Sequence, residues 1–393
     1  MVRRVAWMRT LAVVLGLAAM LAAPCAAGAQ QAIAIGPYVQ DVGSNNATIC
    51  WATLAGGVTW APAGGEAAAL REYEHHTLRL RNLKPGTPYT YDVLGDGGEA
   101  GKGTFTTVPE GEQAFSFAVV GDTQNRDNPA HRSIVERILV EKPDLVFNTG
   151  DLVSDGRNMQ DWERFFEVNA DLMRSIPYYA VLGNHERDSR IYFDSFALPG
   201  NERYYSFDRG AAHFVALDSP GPYPPEDNQP FTDADKARFA AEREAYSQRQ
   251  MEWLKADLAA HRQAKYVFVF FHYPPYSVLA SRVAGAQQVR ERLGSVFQDY
   301  QVSAVFNGHD HNYHRAAAGG VQFVVAGVSG GSPRPTDAPQ PESVKYASAV
   351  TYVHVEVGPK RAAVQVTDLD GKTVDAFALQ PRAVGAPEPA AAR

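Results

Sequence analysis

The sequence predicts an α/β domain preceded by a small all-β sandwich. Between residues 32 and 108, short β-rich runs alternate with turn signals. From residue 113, strand-like runs alternate instead with stretches whose apolar residues recur every three or four positions. Five of these later runs end in an aspartate, an asparagine or a histidine. At 393 residues and 45% apolar, the chain is long enough to bury a large core in two domains.

The opening, MVRRVAWMRTLAVVLGLAAMLAAPCAAGAQ, has arginines first, then an apolar run from Leu11 to Ala23, then Ala27-Gly28-Ala29. That order predicts a signal peptide over residues 1–29, cleaved after Ala29, and a secreted or periplasmic protein. Loss of its three arginines takes the formal net charge from −7 to −10, so no nucleic acid partner is expected. Of the two cysteines, Cys25 would leave with the leader, and Cys50 would have no partner for an intramolecular disulfide. No later segment is long and apolar enough to span a membrane once the leader is removed.

Residues 30–110 form the expected sandwich, with strands in AIAIGPYVQ, NATICWAT, HHTLRLRNL, PYTYDVLGD and GKGTFTTV. Lys84-Pro85-Gly86 and Gly95-Asp96-Gly97-Gly98 supply turns. His75 and His76 have no ligand company nearby and are expected on the surface. Residues 111–381 form the α/β domain, with helices in PAHRSIVERILVEK, MQDWERFFEVNADLMR and the long stretch 233–262. Trp162, Phe165, Phe166 and Leu172 make one core-facing stripe. Loops 219–230 and 331–342 are rich in proline and read as binding walls or surface excursions. YVHVEV, AAVQVTD and VDAFAL read as closing strands, and the tail 382–393 as disordered.

The strand ends carry the chemistry. FSFAVV leads to Gly121-Asp122 and DLVFNT to Gly150-Asp151. YYAVL leads to Gly183-Asn184-His185-Glu186, YVFVFF to His272, and SAVF to Asn307-Gly308-His309-Asp310-His311. In α/β sheets, ligand sites gather at the carboxyl ends of strands. Convergence of five such ends would assemble two aspartates, an asparagine and three histidines. Imidazole, carboxylate and amide donors together suit Fe, Mn or Zn better than Ca or Mg. Asp310 and His314 are expected to support the ligands from behind or to face solvent, because alternation in an extended segment points them away from His309 and His311. His131, His213, His261 and His354 lie in helix or strand contexts and are expected to be structural.

Residues 113–330 resemble the calcineurin-like metallophosphoesterase family through GD at 121–122, GD at 150–151, GNHE at 183–186, His272 and GHDH at 308–311. Trp51 and LRNLKPGTPYTYDV resemble the fibronectin type III-like domain that precedes the catalytic domain of purple acid phosphatases. The resemblance implies a four-layer αββα sandwich, and two divalent or mixed-valence transition metal ions (Fe, Mn or Zn). It also implies roles: Asp151 as the bridge between the two metals, Asn184, His272 and His309 completing one site, and Asp122 and His311 holding the other. His185 matches the histidine that contacts phosphate or protonates the leaving oxygen.

Two positions depart from the family pattern. Gln124 stands where many relatives have a histidine, and Ser154 where purple acid phosphatases have the tyrosine that colours them. Gln124 or Asn125 could supply a weak amide ligand instead, and the Asp122/His311 metal should be held less tightly than the other. The resulting reading is an exported phosphomonoesterase acting on a small phosphate ester through a metal-activated hydroxide. A phosphodiesterase on nucleotides or lipid head groups would use the same centre. A silent binding or adhesion protein would need only the fold. No arginine stands out in the sequence as a phosphate clamp.

Overall fold

Strands buried on both faces need apolar residues throughout, and FSFAVV, LVFN, YVFVF and AVFN supply them. The computed structural model describes residues 12–15, 33–60, 68–95, 98–124, 129–224 and 232–383. The N-terminal region contains β1 (Ala12–Leu15), β2 (Ile33–Gln40), β3 (Asn46–Trp60), β4 (Ala68–Arg81), β5 (Pro88–Gly95) and β6 (Gly98–Thr106). They form two three-stranded antiparallel sheets, β2-β3-β4 and β1-β5-β6. Val39, Ile49, Trp51, Tyr91, Val93 and Phe105 make their shared core. The leader expected over residues 1–29 lies outside the described residues apart from β1.

The larger region follows as β7 (Phe115–Val120), α1 (Pro129–Glu141), β8 (Leu145–Asn148), α2 (Met159–Met173), β9 (Tyr178–Ala180) and α3 (Arg190–Ser195). Then come β10 (Tyr205–Arg209), β11 (Ala212–Ala216), α4 (Asp233–Ala260), β12 (Tyr266–Phe270), α5 (Val283–Asp299) and β13 (Ala304–Asn307). The chain closes with β14 (Tyr313–Ala318), β15 (Val321–Ala326), β16 (Ser343–Ala347), β17 (Thr351–Val357), β18 (Ala362–Asp368) and β19 (Thr373–Leu379). One sheet runs β19-β18-β17-β7-β8-β9 and the other β10-β11-β12-β13-β15-β14-β16. The strands that lead to the site are parallel within each sheet.

The two sheets meet through aromatic rings. Phe147 stacks on Phe270 with centroids 3.7 Å apart, and Phe117 meets Phe268 edge-on at 5.0 Å. Helices α1 and α2 bury Ile134, Ile138, Trp162 and Phe165 against the six-stranded sheet. On the seven-stranded sheet, Leu254 and Leu258 of α4 and Val296 and Phe297 of α5 cover Val215, Val267, Val269 and Val305. The result is four layers. The N-terminal of α2 is capped by Asn158, and α4 opens with a reciprocal Thr232/Asp235 capping box. Among the described residues, no helix is long and apolar enough to cross a membrane.

The N-terminal sheets are docked, not tethered. Tyr38 stacks on Phe166 at 5.1 Å, and its hydroxyl donates to the Ser195 carbonyl. Ala197 N donates to Gln40 Oε1 at 2.6 Å, and Tyr91 Oη donates to Arg174 O at 2.9 Å. His75 and His76 are half-buried, which corrects their expected place on the surface. The β3–β4 register sets Trp51 opposite His76, so the imidazole stacks on the indole at 5.1 Å. Cys50 is free and buried, and Arg382, where the disordered tail was expected to begin, is anchored by donating to Tyr300 O at 3.0 Å.

Truncating Phe147 to alanine removes the ring that joins the two sheets. We expect a loss of about 3–5 kcal/mol in stability, read from the urea unfolding midpoint.

Candidate metal centre

Asp122, Asp151 and Asn184 follow β7, β8 and β9 of the six-stranded sheet. His272 follows β12, and His309 and His311 follow β13, in the seven-stranded sheet. Oxygen donors come from one sheet and imidazoles from the other. All six predicted residues are brought together. Asp151, His272 and His309 form one group able to hold an ion, and Asp122, Asp151 and His311 form a second that shares Asp151.

Donor spacings fit this use. His272 Nε2 lies 3.2 Å from Asp151 Oδ2, 3.2 Å from Asn184 Oδ1 and 3.1 Å from His309 Nδ1. His311 Nε2 lies 3.3 Å from Asp122 Oδ1. Two donors about 2.1 Å from one ion, about 100° apart, would be roughly 3.2 Å from each other. The ring orientations agree. His272 Nδ1 donates to Thr149 O at 3.0 Å, and His311 Nδ1 donates to Ser332 O at 3.2 Å. Each leaves Nε2 facing the carboxylates.

The electrostatics call for positive charge. Burial works against a proton on His272, yet Asp151 outweighs it and raises the imidazole to about 9. Burial would likewise raise Asp151, but His272 and His185 hold it below the ordinary carboxylate value. Burial and the neighbouring His272, Arg282 and Arg334 push His309 far below the usual imidazole range. Asp151 and His272 thus each hold the other in its charged form, as a carboxylate facing a cation does.

The backbone is bent to make this possible. Asp122, Asp151, His309 and His311 themselves have φ of 49°, 55°, 72° and 52°. Left-handed backbone at a non-glycine residue costs roughly 1 kcal/mol or more and concentrates at functional sites. The glycines serve close approach as well as turning: a Cβ on Gly183 would sit 2.2 Å from Asp151 Oδ1.

Glu186 is the residue that the sequence did not disclose. It is fully buried, and its carboxylate accepts from Gly183 N at 2.6 Å, Asp151 N at 3.0 Å and Leu152 N at 2.8 Å. It therefore pins the Asp151 loop to the Asn184 loop. Burial, and then Asp151, raise its carboxyl to about 7. Its place directly after His185 in GNHE was the available signal.

His185 is partly exposed; its Nδ1 donates to Ser154 O at 2.6 Å, and its Nε2 lies 3.8 Å from Asp151 Oδ2. The Ser154 slot thus contributes a backbone carbonyl that orients an imidazole. Gln124 stands beside Asp122 and His311. With its amide nitrogen donating to Asp122 O at 3.2 Å and Asp151 O at 2.9 Å, its oxygen lies 3.0 Å from His311 Nε2. Asn125 lies outside the described residues. Asp310 and His314 do not face solvent: both are buried, because positive φ at His309 and His311 breaks the alternation of an extended segment. Asp310 Oδ2 accepts from Ser277 Oγ, and His314 Nε2 lies 2.8 Å from Ser343 Oγ. The 331–342 loop is a wall of the site. Arg334 N donates to His311 O at 2.8 Å, and Gly331 N to Asp122 O at 3.0 Å.

A third group, Asp208, His213 and His261, has a different character. His213 places Nδ1 2.7 Å from Asp208 Oδ1 and Nε2 2.8 Å from Asp257 Oδ2, so both nitrogens are already engaged. Its ring stacks on His261 at 3.8 Å and 11°, so in-plane lone pairs run side by side and do not converge. This group ties the β10–β11 hairpin to the end of α4.

Residues 115–313 match the profile of the calcineurin-like phosphoesterase family. Purple acid phosphatase 21 of Arabidopsis thaliana is 28% identical over 257 residues, covering 61% of this chain and 53% of that protein. Acid phosphatase type 7 of Mus musculus is 27% identical over 262 residues, covering 61% and 56%. The chain spans about half the length of these curated relatives. A purple acid phosphatase isolated from yellow lupin (Lupinus luteus) seeds superposes with a TM-score of 0.69 at 19% identity, covering 89% of this chain and 74% of that one. That likeness is one of fold.

Glutamine at position 186 would set an NH2 group against backbone N–H donors. Glu186→Gln should weaken metal retention about 10- to 100-fold in calorimetric titration. The His213 group predicts a pH effect. Burial lowers its basicity, but Asp208 and Asp257 outweigh that and raise the imidazole above its ordinary 6.5. Its contribution is therefore complete below 6.5 and lost as pH rises through the higher folded value. His213→Gln should remove that decline from urea midpoints measured between acidic and alkaline pH.

Proposed function

Because the chain belongs to the calcineurin-like phosphoesterase family, we propose that it is an exported phosphomonoesterase with a two-metal centre and a fibronectin type III-like domain in front. The observation that carries this reading is the sharing of Asp151 between the two donor groups. Asp151, Asn184, His272 and His309 would hold one ion, and Asp122, Asp151 and His311, with Gln124, the other. The mixed nitrogen and oxygen donors favour Fe, Mn or Zn. When bound, such a pair supplies Lewis acidity to a phosphoryl oxygen and to a water nucleophile.

The chain's own groups do the rest. His185 is positioned by the Ser154 carbonyl, which fixes its Nδ1–H and leaves Nε2 directed at the site. From there it can hold a proton at Nε2 and give it to the departing ester oxygen. Asp151 receives a hydrogen bond from His185 N at 2.9 Å, so the proton donor and the shared carboxylate move as one unit. Asp122 accepts from His309 N through both oxygens, at 3.0 and 2.8 Å, and this holds the two sheets' loops in register. Positioning and charge suffice for phosphoryl transfer, which asks little covalent work of a protein.

The test is nitrophenol release from nitrophenyl phosphate and bis-nitrophenyl phosphate by metal-loaded protein, with His309→Ala as the blank. We expect monoester turnover to exceed diester turnover and both to vanish in the blank. Faster diester cleavage would make the protein a phosphodiesterase. No turnover with two ions bound would make it a binding protein. In Asp151→Asn, activity should fall to the blank and both ions should be depleted on elemental analysis; full occupancy would place the bridge elsewhere.

A further inference from the structure

Beside His309 lies a cavity of about 560 Å³, far more room than one phosphate needs. Its floor is one face of α5 and the turn before it: Arg282, Gly285, Val289 and Arg292 follow each other at three- and four-residue intervals, with Ala286 beside Gly285. Tyr273 stands across from them, its ring 4.5 Å from that of His309. The stripe has a cation at each end and small or apolar residues between. The ends are about 15 Å apart at 1.5 Å per residue.

Arg282 has unspent hydrogen-bonding capacity. Its Nη1 is buried without a protein partner, and its Nε lies 3.9 Å from Asp310 Oδ1, beyond hydrogen-bond range. The Arg282 side chain as a whole is only partly buried, and a guanidinium in such a place fills its donors with carboxylate or phosphate oxygens. Asp310 balances it in charge from the wall side, while Asp310 Oδ2 is taken by Ser277. Two arginines lining one cavity do not follow from general basicity, since the chain's formal net charge is −7.

We propose that this cavity is a leaving-group subsite and that the preferred substrates are phosphate esters whose leaving group carries a second negative charge, gripped by Arg282, with Arg292 serving longer groups at the mouth. The proposal rests on the phosphoesterase reading and adds what hangs from the scissile phosphate. The second anion can be a carboxylate or a phosphate, because a guanidinium fork takes either. Tyr273 offers a face or edge to a flat ring between the two charges.

The experiment compares kcat/KM for phenyl phosphate, 4-carboxyphenyl phosphate and 1,4-phenylene bisphosphate on metal-loaded protein. In parallel, calorimetry gives affinities for the three corresponding phosphonates. In Arg282→Gln the ratio of anionic to neutral leaving group should fall roughly 10- to 100-fold, the worth of one charge-assisted hydrogen bond. Arg282→Lys should restore part of it, and thermal unfolding should report that each variant is folded. Carboxylate and bisphosphate arms identify which anion is preferred.

Unchanged ratios in kinetics and binding would overturn the subsite, as would an equal loss on all three esters, which would place Arg282 on the scissile phosphate. If the wild type cleaves none of the esters, the phosphoesterase reading fails. Phosphonate affinities would then decide the subsite separately: a charge preference lost in Arg282→Gln supports it, and no preference refutes it.

Discussion

The site depends on one constraint, the face-to-face packing of two sheets through aromatic rings. Carboxylates and an amide arrive on strands of one sheet, and imidazoles on strands of the other. Neither half can hold two ions by itself. The 3.7 Å stack of Phe147 on Phe270 lies between the strand that leads to Asp151 and the strand that leads to His272. Close packing of rigid rings keeps these strand ends at a fixed separation, which interiors packed to crystal-like density can do. The donor distances of 3.1–3.3 Å then follow from the core.

Gathering these groups carries a cost. Two aspartates are buried almost completely, a buried glutamate stands next to one of them, and four donor residues occupy left-handed backbone. Hydrogen bonds from backbone N–H groups offset part of the desolvation, notably His309 N to Asp122 and three N–H groups to Glu186. What remains is an arrangement that favours a cation at its centre. Any ion bound there would join the two sheets and add its binding free energy to the stability of the folded domain.

Much of this was legible in the sequence because a strand end is a local signal. Five apolar runs followed by donor residues were enough to gather the candidate ligands, and the family resemblance of their motifs sorted them into two sites and singled out His185. The α1 and α2 stripes and the closing strands β17, β18 and β19 were equally local. Helix α5 was missed, as glycines at 285 and 294 dilute its periodicity. Residues whose role depends on distant partners were misread or not seen. His76 needed the β3 register to find Trp51, and Arg282 needed the cavity wall that α5 builds; for Asp310 the bent backbone at His309 and His311 decided between the two places the sequence left open. Glu186 was in plain sight, but that one carboxylate serves two loops is a fact of three dimensions.

The proline-rich 331–342 loop touches more than its surface position implies. At one end Gly331 and Ser332 bind Asp122 and His311, and further along Asp337 Oδ1 accepts from Ala280 N at 2.9 Å while Ala338 N donates to Val278 O at 2.8 Å. One strap thus grips a donor pair of the centre and the short segment that carries Arg282. The two ends are thereby joined through backbone hydrogen bonds of a single loop, with no helix or sheet between them. In the language of linkage, any dependence of occupancy at one end on occupancy at the other would be the same read in both directions.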